Sequence, residues 1–366
     1  MRYRPTVAEI DLDAIRSNVR ALNPARAQLM TVVKADGYGH GSVPVARAAL
    51  GAGARWLGVA LVEEGIELRE AGVDARILVL SECPPGSEDA ALAADLTATV
   101  YTEAAVDRLA TAASAARRRD IPVHLKVDTG MHRVGVYPFE AAGGVAKRID
   151  AAGLRLEGLW THLAKAEDDA ATEAQLDRFI RAREAVEASG GAPELLHAAN
   201  SAGASLRPEL QFDLVRVGIE TYGLEAAPGV GTEGLTPAMT LRSEVAFAKR
   251  LPAGEAISYG LTYTLERPAT IATVPIGYAD GYRRVLSSVA DALIGGARRR
   301  VAGAVTMDQT MLDCGDDDVV PGDEVVLIGR QGEERVTADE LGVLAGTIGY
   351  EIVTAIGRRV PREYRG

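Results

Sequence analysis

Short apolar runs alternate with alanine-rich helical patterns from Leu29 to Leu224, and nothing else in this 366-residue chain constrains its fold so tightly. Strands are expected at Leu29–Val33, Trp56–Ala60, Arg76–Leu80, Thr97–Tyr101, Pro122–Val127, Leu156–Trp160, Glu194–His197 and Asp213–Val217. Helical patterns fill the gaps, as at Val43–Leu50, Val62–Ala71, Glu103–Arg117, Pro138–Ala152 and Thr172–Ala188, and residues 12–24 read as a leading helix opened by Asp11. Strand–helix alternation demands right-handed crossovers and a parallel sheet. Eight repeats point to a closed (β/α)8 TIM-type barrel. An open sheet is the alternative, because the seventh run is weak.

The rhythm stops near Leu224. Residues 225–237 are rich in Gly, Pro, Ala and Glu and read as a linker. They contain Gly229-Val230-Gly231-Thr232-Glu233-Gly234, the spacing of a dinucleotide loop. Without a strand before it or a helix after it, the spacing does not support a nucleotide-binding oxidoreductase. Beyond it, strands are expected at Ser243–Ala248, Ala269–Pro275, Val301–Met307, Glu324–Ile328 and Glu351–Ile356, with one helix around Ala338–Ala345. The fold class is therefore α/β plus β. Residues 1–235 form the barrel and residues 236–366 a mostly-β domain, with residues 1–11 open to pairing with the second domain.

Composition narrows the function. A net charge of −11 disfavours nucleic acid, whose phosphates need a basic face. The basic runs Arg117–Arg119 and Arg298–Arg300 read as solvated surface. Cys83 and Cys314 have no metal-ligand spacing, so neither a metal site nor a disulfide scaffold is expected. No secretory signal or membrane-spanning run is read, which predicts a cytoplasmic protein with no membrane partner.

In a barrel, chemistry belongs where strands end at their C-terminal mouths. Lys34 follows the first strand. Lys126 through Arg133 closes the fifth, Thr161-His162 the sixth, His197 through Ser201 the seventh, and Arg216 through Ile219 the eighth. Asn200, Ser201 and the amides of Gly218 and Ile219 lie where such barrels often hold phosphate. A lysine opposite a phosphate site suggests pyridoxal phosphate, held by a Schiff base at one end and by its phosphate at the other. Each residue also has a plainer use: Lys34 can snorkel, His162 and His197 can be rim hydrogen-bonders, and Arg133 and Arg216 can serve in ion pairs.

These residues also resemble a known family. Val33-Lys34-Ala35-Asp36-Gly37-Tyr38-Gly39-His40-Gly41 is similar to the cofactor-lysine motif of bacterial alanine racemases. The resemblance continues, in order, through Lys126-Val127-Asp128-Thr129-Gly130-Met131 with Arg133, His197–Ala202, Val215–Ile219, Ile257-Ser258-Tyr259-Gly260, Pro275–Gly281, Met307-Asp308-Gln309 and Thr347–Glu351. It implies a homodimer whose sites are completed by the partner's β domain, acting on a small amino acid. Lys34 would carry pyridoxal phosphate and act as the base for D-alanine, and Tyr259 of the partner subunit as the base for L-alanine. His162, linked to Arg216, would tune that tyrosine, and Arg216 would face the ring nitrogen. Tyr38, Ser201, Tyr350, Gly218 and Ile219 would hold the phosphate. Arg133 and Met307 of the partner subunit would meet the substrate carboxylate, Lys126 would match a substrate-site lysine that is carbamylated in some members, where the new carboxylate orients the arginine, and Tyr278 would narrow the entrance.

His132, Gly349 and Thr306 stand where the family more often has glycine, asparagine and cysteine, which touches substrate breadth and keeps serine open beside alanine. The rivals are a barrel-fold decarboxylase, which needs an acid where Arg216 stands, and a non-catalytic cofactor carrier, which resembles a lone barrel. The implied role is supply of D-alanine for peptidoglycan.

Overall fold

The computed structural model describes residues 3–366. Nine strands come first in the chain: β1 (Val7–Asp11), β2 (Gln28–Val32), β3 (Trp56–Val59), β4 (Arg76–Val79), β5 (Thr97–Val100), β6 (Ile121–Lys126), β7 (Leu154–Trp160), β8 (Leu195–His197) and β9 (Leu214–Val217). Strands β2 to β8 pair in parallel in sequence order, and β9 returns to pair with β2. No ladder joins β8 to β9. The Asp213 N–H to Leu196 carbonyl bond (3.0 Å) and the Arg216 N–H to Ala199 carbonyl bond (3.1 Å) bridge that seam, giving a near-closed barrel. The short seventh run is thus a real strand of three residues. Met30, Trp56, Leu78 and Leu214 form one fully buried cluster of this unit. Burial of such side chains contributes roughly 1.5–3 kcal/mol each.

The chain divides into two compact units. The barrel unit comprises Ile15–Gly37 and Ser42–Leu235. The other takes the chain up to Ala14, Tyr38–Gly41 and Thr236–Gly366. In this second unit β1 pairs antiparallel with Met239–Glu244 and parallel with Arg362–Arg365. They belong to a ten-stranded sheet that includes Phe247–Leu251, Ala269–Val274, Asp291–Ile294, Ala297–Val301, Thr310–Asp313 and Glu324–Gln331.

Three expectations for this unit need correction. Glu351–Ile356 is not a strand but part of a helix, Gly349–Ala355, whose Ile352 and Val353 are buried. Three adjacent β-branched residues, Ile352, Val353 and Thr354, imitate a strand there, and tertiary packing overrides the propensity. The single strand expected at Ser243–Ala248 is a junction between two strands, with the Val245 and Ala246 N–H groups donating to the Asp323 and Thr273 carbonyls. The strand expected at Val301–Met307 ends at Val301, and residues 302–309 form a loop. The basic run Arg298–Arg300 lies in a strand whose Arg298 and Arg300 are exposed, so it is solvated surface as expected, laced with ion pairs. Arg298 pairs with Glu334 (3.1 Å) and Glu340 (2.6 Å), and Arg300 with Asp291 (2.9 Å).

Candidate active site

Lys34 sits two residues past β2, where the backbone does something L-residues avoid. Ala35, Asp36, Gly37 and Tyr38 all have positive φ (53°, 51°, 60° and 52°), one turn of left-handed helix. Left-handed α conformation costs about 1–2 kcal/mol for each non-glycine residue. Hydrogen bonds hold the turn: Gly37 N–H donates to the Val33 carbonyl (2.9 Å) and Ala35 N–H to Glu64 Oε1 (2.6 Å). Asp36 Oδ1 accepts the Ser42 N–H (2.9 Å) at the start of the next helix, Ser42–Gly51. The turn therefore fixes where Lys34 stands. Burial lowers its pKa, the Arg133 charge lowers it further, and Glu64 raises it.

Other strand ends bring further cations to this mouth. Lys126, the last residue of β6, is buried, with Nζ 4.2 Å from the centre of the Trp160 ring. Desolvation first, then the Arg216 and Arg133 charges, bring its pKa down to about 7. Arg216, on β9, lies 4.7 Å from the same ring centre. Its guanidinium donates to the carbonyls of Thr161 (2.7 Å) and Ala198 (2.9 Å), to His197 Nδ1 (3.0 Å) and, more loosely, to His162 Nδ1 (3.4 Å). Burial lowers its pKa to about 9, which leaves it charged at neutral pH. His162 is held well below the ordinary imidazole range by burial and then by Arg216, so it is neutral. Arg133 is exposed on the loop after β6, where Asp128 Oδ1 accepts the Gly130 and His132 N–H groups (both 3.0 Å).

Asn200 caps the short helix Ser201–Leu206, its side chain accepting the Gly203 N–H (3.0 Å). Ser201 Oγ accepts the Gly218 N–H (2.9 Å), which leaves the serine proton free to donate outward. The structure thus gathers Lys34, Lys126, His162, Arg133 and Arg216 around one electrostatic cluster, and joins Ser201 to Gly218. Sequence reasoning missed Glu64, Trp160, His124 and Glu157; the last three sit inside strands that read simply as apolar.

In the second unit Tyr38 is buried, and its ring lies 6.1 Å from that of Tyr350. Gly39 follows with φ 81°, and a Cβ there would overlap the Val353 carbonyl oxygen. Tyr259 stands on a loop with positive φ at Ser258 (67°), Gly260 (79°) and Leu261 (51°), pinned by Ser258 Oγ donating to the Ala304 carbonyl (2.8 Å). Tyr278 and Met307 lie on facing turns, joined by Tyr278 N–H to the Thr306 carbonyl and Ala279 N–H to the Met307 carbonyl (both 3.0 Å).

A desolvated strand-end amine, a buried guanidinium and a hydroxyl donor at the mouth of a parallel barrel define a class of site suited to an anionic ligand with an aldehyde. Comparison with known proteins gives the family. Residues 10–226 match the alanine racemase N-terminal domain and residues 238–364 the C-terminal domain. The alanine racemase of Symbiobacterium thermophilum is 50% identical over 99% of this chain and 98% of its own, and that of Thermobifida fusca 46% identical over 98% of each. The crystal structure of the Streptomyces lavendulae enzyme superposes with a TM-score of 0.94 at 42% identity, covering 100% of this chain and 98% of that one. The chain belongs to the alanine racemase family. It is an isomerase that interconverts L- and D-alanine with pyridoxal phosphate as cofactor.

Proposed function

We propose that the interconversion uses two bases, Lys34 on one face of the substrate Cα and Tyr259 of the partner subunit on the other. The observation that carries this reading is the cation cluster at the barrel mouth, with Lys34 depressed and Arg216 bonded only to carbonyls and imidazoles among the described residues. The donor set fits pyridoxal phosphate. Lys34 offers an amine that sheds its proton readily, and Ser201, its oxygen already holding the Gly218 N–H, offers a free hydroxyl proton to the phosphate beside the Ile219 backbone. When bound, the cofactor supplies the electron-withdrawing system that acidifies the substrate Cα–H.

The chain's own residues do the rest. Lys34 takes or returns the proton of D-alanine. Arg216 donates to the ring nitrogen without surrendering a proton, which limits electron withdrawal and favours simple proton return over loss of the amino group. His162 is neutral and receives Arg216 on Nδ1, so its Nε2–H is left to stabilise the tyrosinate that serves L-alanine. Arg133 and Met307 of the partner subunit bind the substrate carboxylate, Lys126 stands behind Arg133 as the group that orients it, and Tyr278 and Tyr350 restrict the entrance to a small side chain. The Bacillus anthracis alanine racemase, 38% identical, was solved with bound L-Ala-P.

A homodimer is proposed because Tyr259 (75% exposed), Leu261 (64%), Met307 (53%) and Tyr278 (42%) leave large apolar surface on the second unit. Among the described residues no helix is long and apolar enough to cross a membrane. We place the enzyme in the cytoplasm, supplying D-alanine for peptidoglycan. The test is solvent deuterium entry at Cα from each enantiomer. Tyr259→Phe should slow exchange into L-alanine by about 10²–10⁴-fold while D-alanine still exchanges through Lys34. Near-parental racemisation by that variant would remove Tyr259 from the mechanism.

A further inference from the structure

Behind Arg216, a line of buried polar groups runs through the barrel interior. Arg216 Nη1 lies 3.0 Å from His197 Nδ1, His197 Nε2 lies 2.9 Å from His124 Nδ1, and His124 Nε2 lies 3.2 Å from Glu157 Oε2. His124 and His197 are fully buried, and the Glu157 side chain is 1% exposed. Arg76 and Arg155 (3.1 Å) pair with Glu157 Oε1. The rings are tightly held. His197 stacks on Trp160 at 5.4 Å and 8°, and His124 packs edge-on against Trp56 at 5.3 Å. Gly158 makes room for His124, since a Cβ there would overlap its ring.

Hydrogen-bond bookkeeping leaves this line one arrangement. A guanidinium only donates, so His197 Nδ1 must be bare, and the ring's proton sits on Nε2. That proton is donated to His124 Nδ1, which must also be bare. His124 therefore carries its proton on Nε2 and donates it to Glu157. Every proton points from Arg216 toward Glu157, and both rings are neutral. The nearest carboxylate along the line is two imidazoles away from Arg216.

We propose that His124 and Glu157 are positioning residues for racemisation: they lock the His197 tautomer and thereby aim the Arg216 guanidinium at the mouth as an intact, carboxylate-free charge. This rests on the assignment of Arg216 to the cofactor's ring nitrogen. Residues behind a catalytic group typically change activity 10–100-fold when lost. Glu157 acts as the acceptor that ends the line, with its other oxygen taken by Arg76 and Arg155, so an apolar group in its place removes that end.

The experiment is ¹⁵N-histidine NMR on the holoenzyme, which has five histidines to assign, together with steady-state kinetics and keto-acid release from alanine, the mark of amino-group loss to the cofactor. In the parent protein His124 and His197 should both show bare Nδ1 and protonated Nε2. His124→Phe keeps a ring against Trp56. It should disturb the His197 signal, lower kcat about 10–100-fold with little change in KM, and raise keto acid formed per racemisation. Glu157→Leu, which removes the acceptor, should likewise disturb the His124 and His197 signals and lower kcat. A parental His197 signal and parental keto-acid ratio in His124→Phe would overturn the inference with the role of Arg216 intact. Parental racemisation by Arg216→Gln would overturn the role of Arg216, and the inference with it.

Discussion

Glu220 shows how a single buried group that takes no part in the proposed proton transfers can set a pH dependence. It is fully buried, and burial pushes its carboxyl up to about 7 although Ser205 Oγ donates to it (2.8 Å). The glycine-rich segment that imitates a dinucleotide loop packs here: a Cβ on Gly231 would overlap Glu220 Oε1. Glycine at 231 is thus required by a close approach within the barrel unit, not by a nucleotide. Because the folded pKa is raised, the folded chain keeps a proton that the unfolded chain has lost above the ordinary carboxyl range. The stability this represents is complete below that range and is lost as pH rises through about 7, a difference of about 3 kcal/mol from a shift of this size. Glu220→Gln carries a permanent neutral group and should escape the loss. Its unfolding midpoint should exceed the parent's at about pH 8 and match it near pH 5, as thermal denaturation at the two pH values would show. Equal behaviour of the two proteins at about pH 8 would show that Glu220 is not held protonated by the fold.

At the scale of elements, the left-handed turn Ala35–Tyr38 is locally unfavourable structure next to the proposed cofactor lysine. Ala35 is exposed, its N–H is tied to Glu64, and its φ of 53° suits glycine. Ala35→Gly should therefore relieve about 1 kcal/mol of backbone strain, offset in part by the greater freedom of glycine when unfolded. If the strain serves to hold Lys34, the same change should lower kcat a few-fold while thermal stability holds or rises, a split that differential scanning fluorimetry and kinetics can measure together. Equal kcat would show that Glu64 and Asp36 suffice to place the lysine. The turn also marks how far sequence reading reaches. Its glycines signal a tight reversal, but positive φ at the non-glycine residues Ala35, Asp36 and Tyr38 cannot be read from composition. Barrel strands are legible because each is an uninterrupted apolar run bounded by polar turns. Strand-end groups such as Lys34, Lys126 and Arg216 are legible because barrel topology assigns them to one mouth. His124 and Glu157 are not, since a polar residue inside a buried strand looks like an interruption until its partners across the barrel are known. In the β-rich unit the reading fails where short β-branched stretches fold as helix, as at Ile352-Val353.

For the whole molecule, the decisive question is whether one site is built from two chains. Strained backbone at Ser258 and Leu261 presents Tyr259 to solvent within its own protomer, which is costly unless something uses the ring. An isologous dimer would place the same loop at both sites, each barrel receiving Tyr259 of the partner subunit. Mixed dimers test this directly. Lys34→Ala and Tyr259→Phe proteins, carrying different affinity tags, should each be nearly inactive. Refolded together and purified through both tags, a heterodimer has either of two distributions of lesions. With shared sites, one site collects both substitutions and the other collects none, so about half the parental activity returns. With sites built from a single chain, every site carries one substitution and no activity returns. Borohydride reduction of the loaded heterodimer adds an independent count, because only the subunit that keeps Lys34 can be covalently trapped with cofactor. One label per dimer with half activity would establish that the trapped lysine and the working tyrosine come from opposite chains; one label with no activity would return Tyr259 to its own barrel.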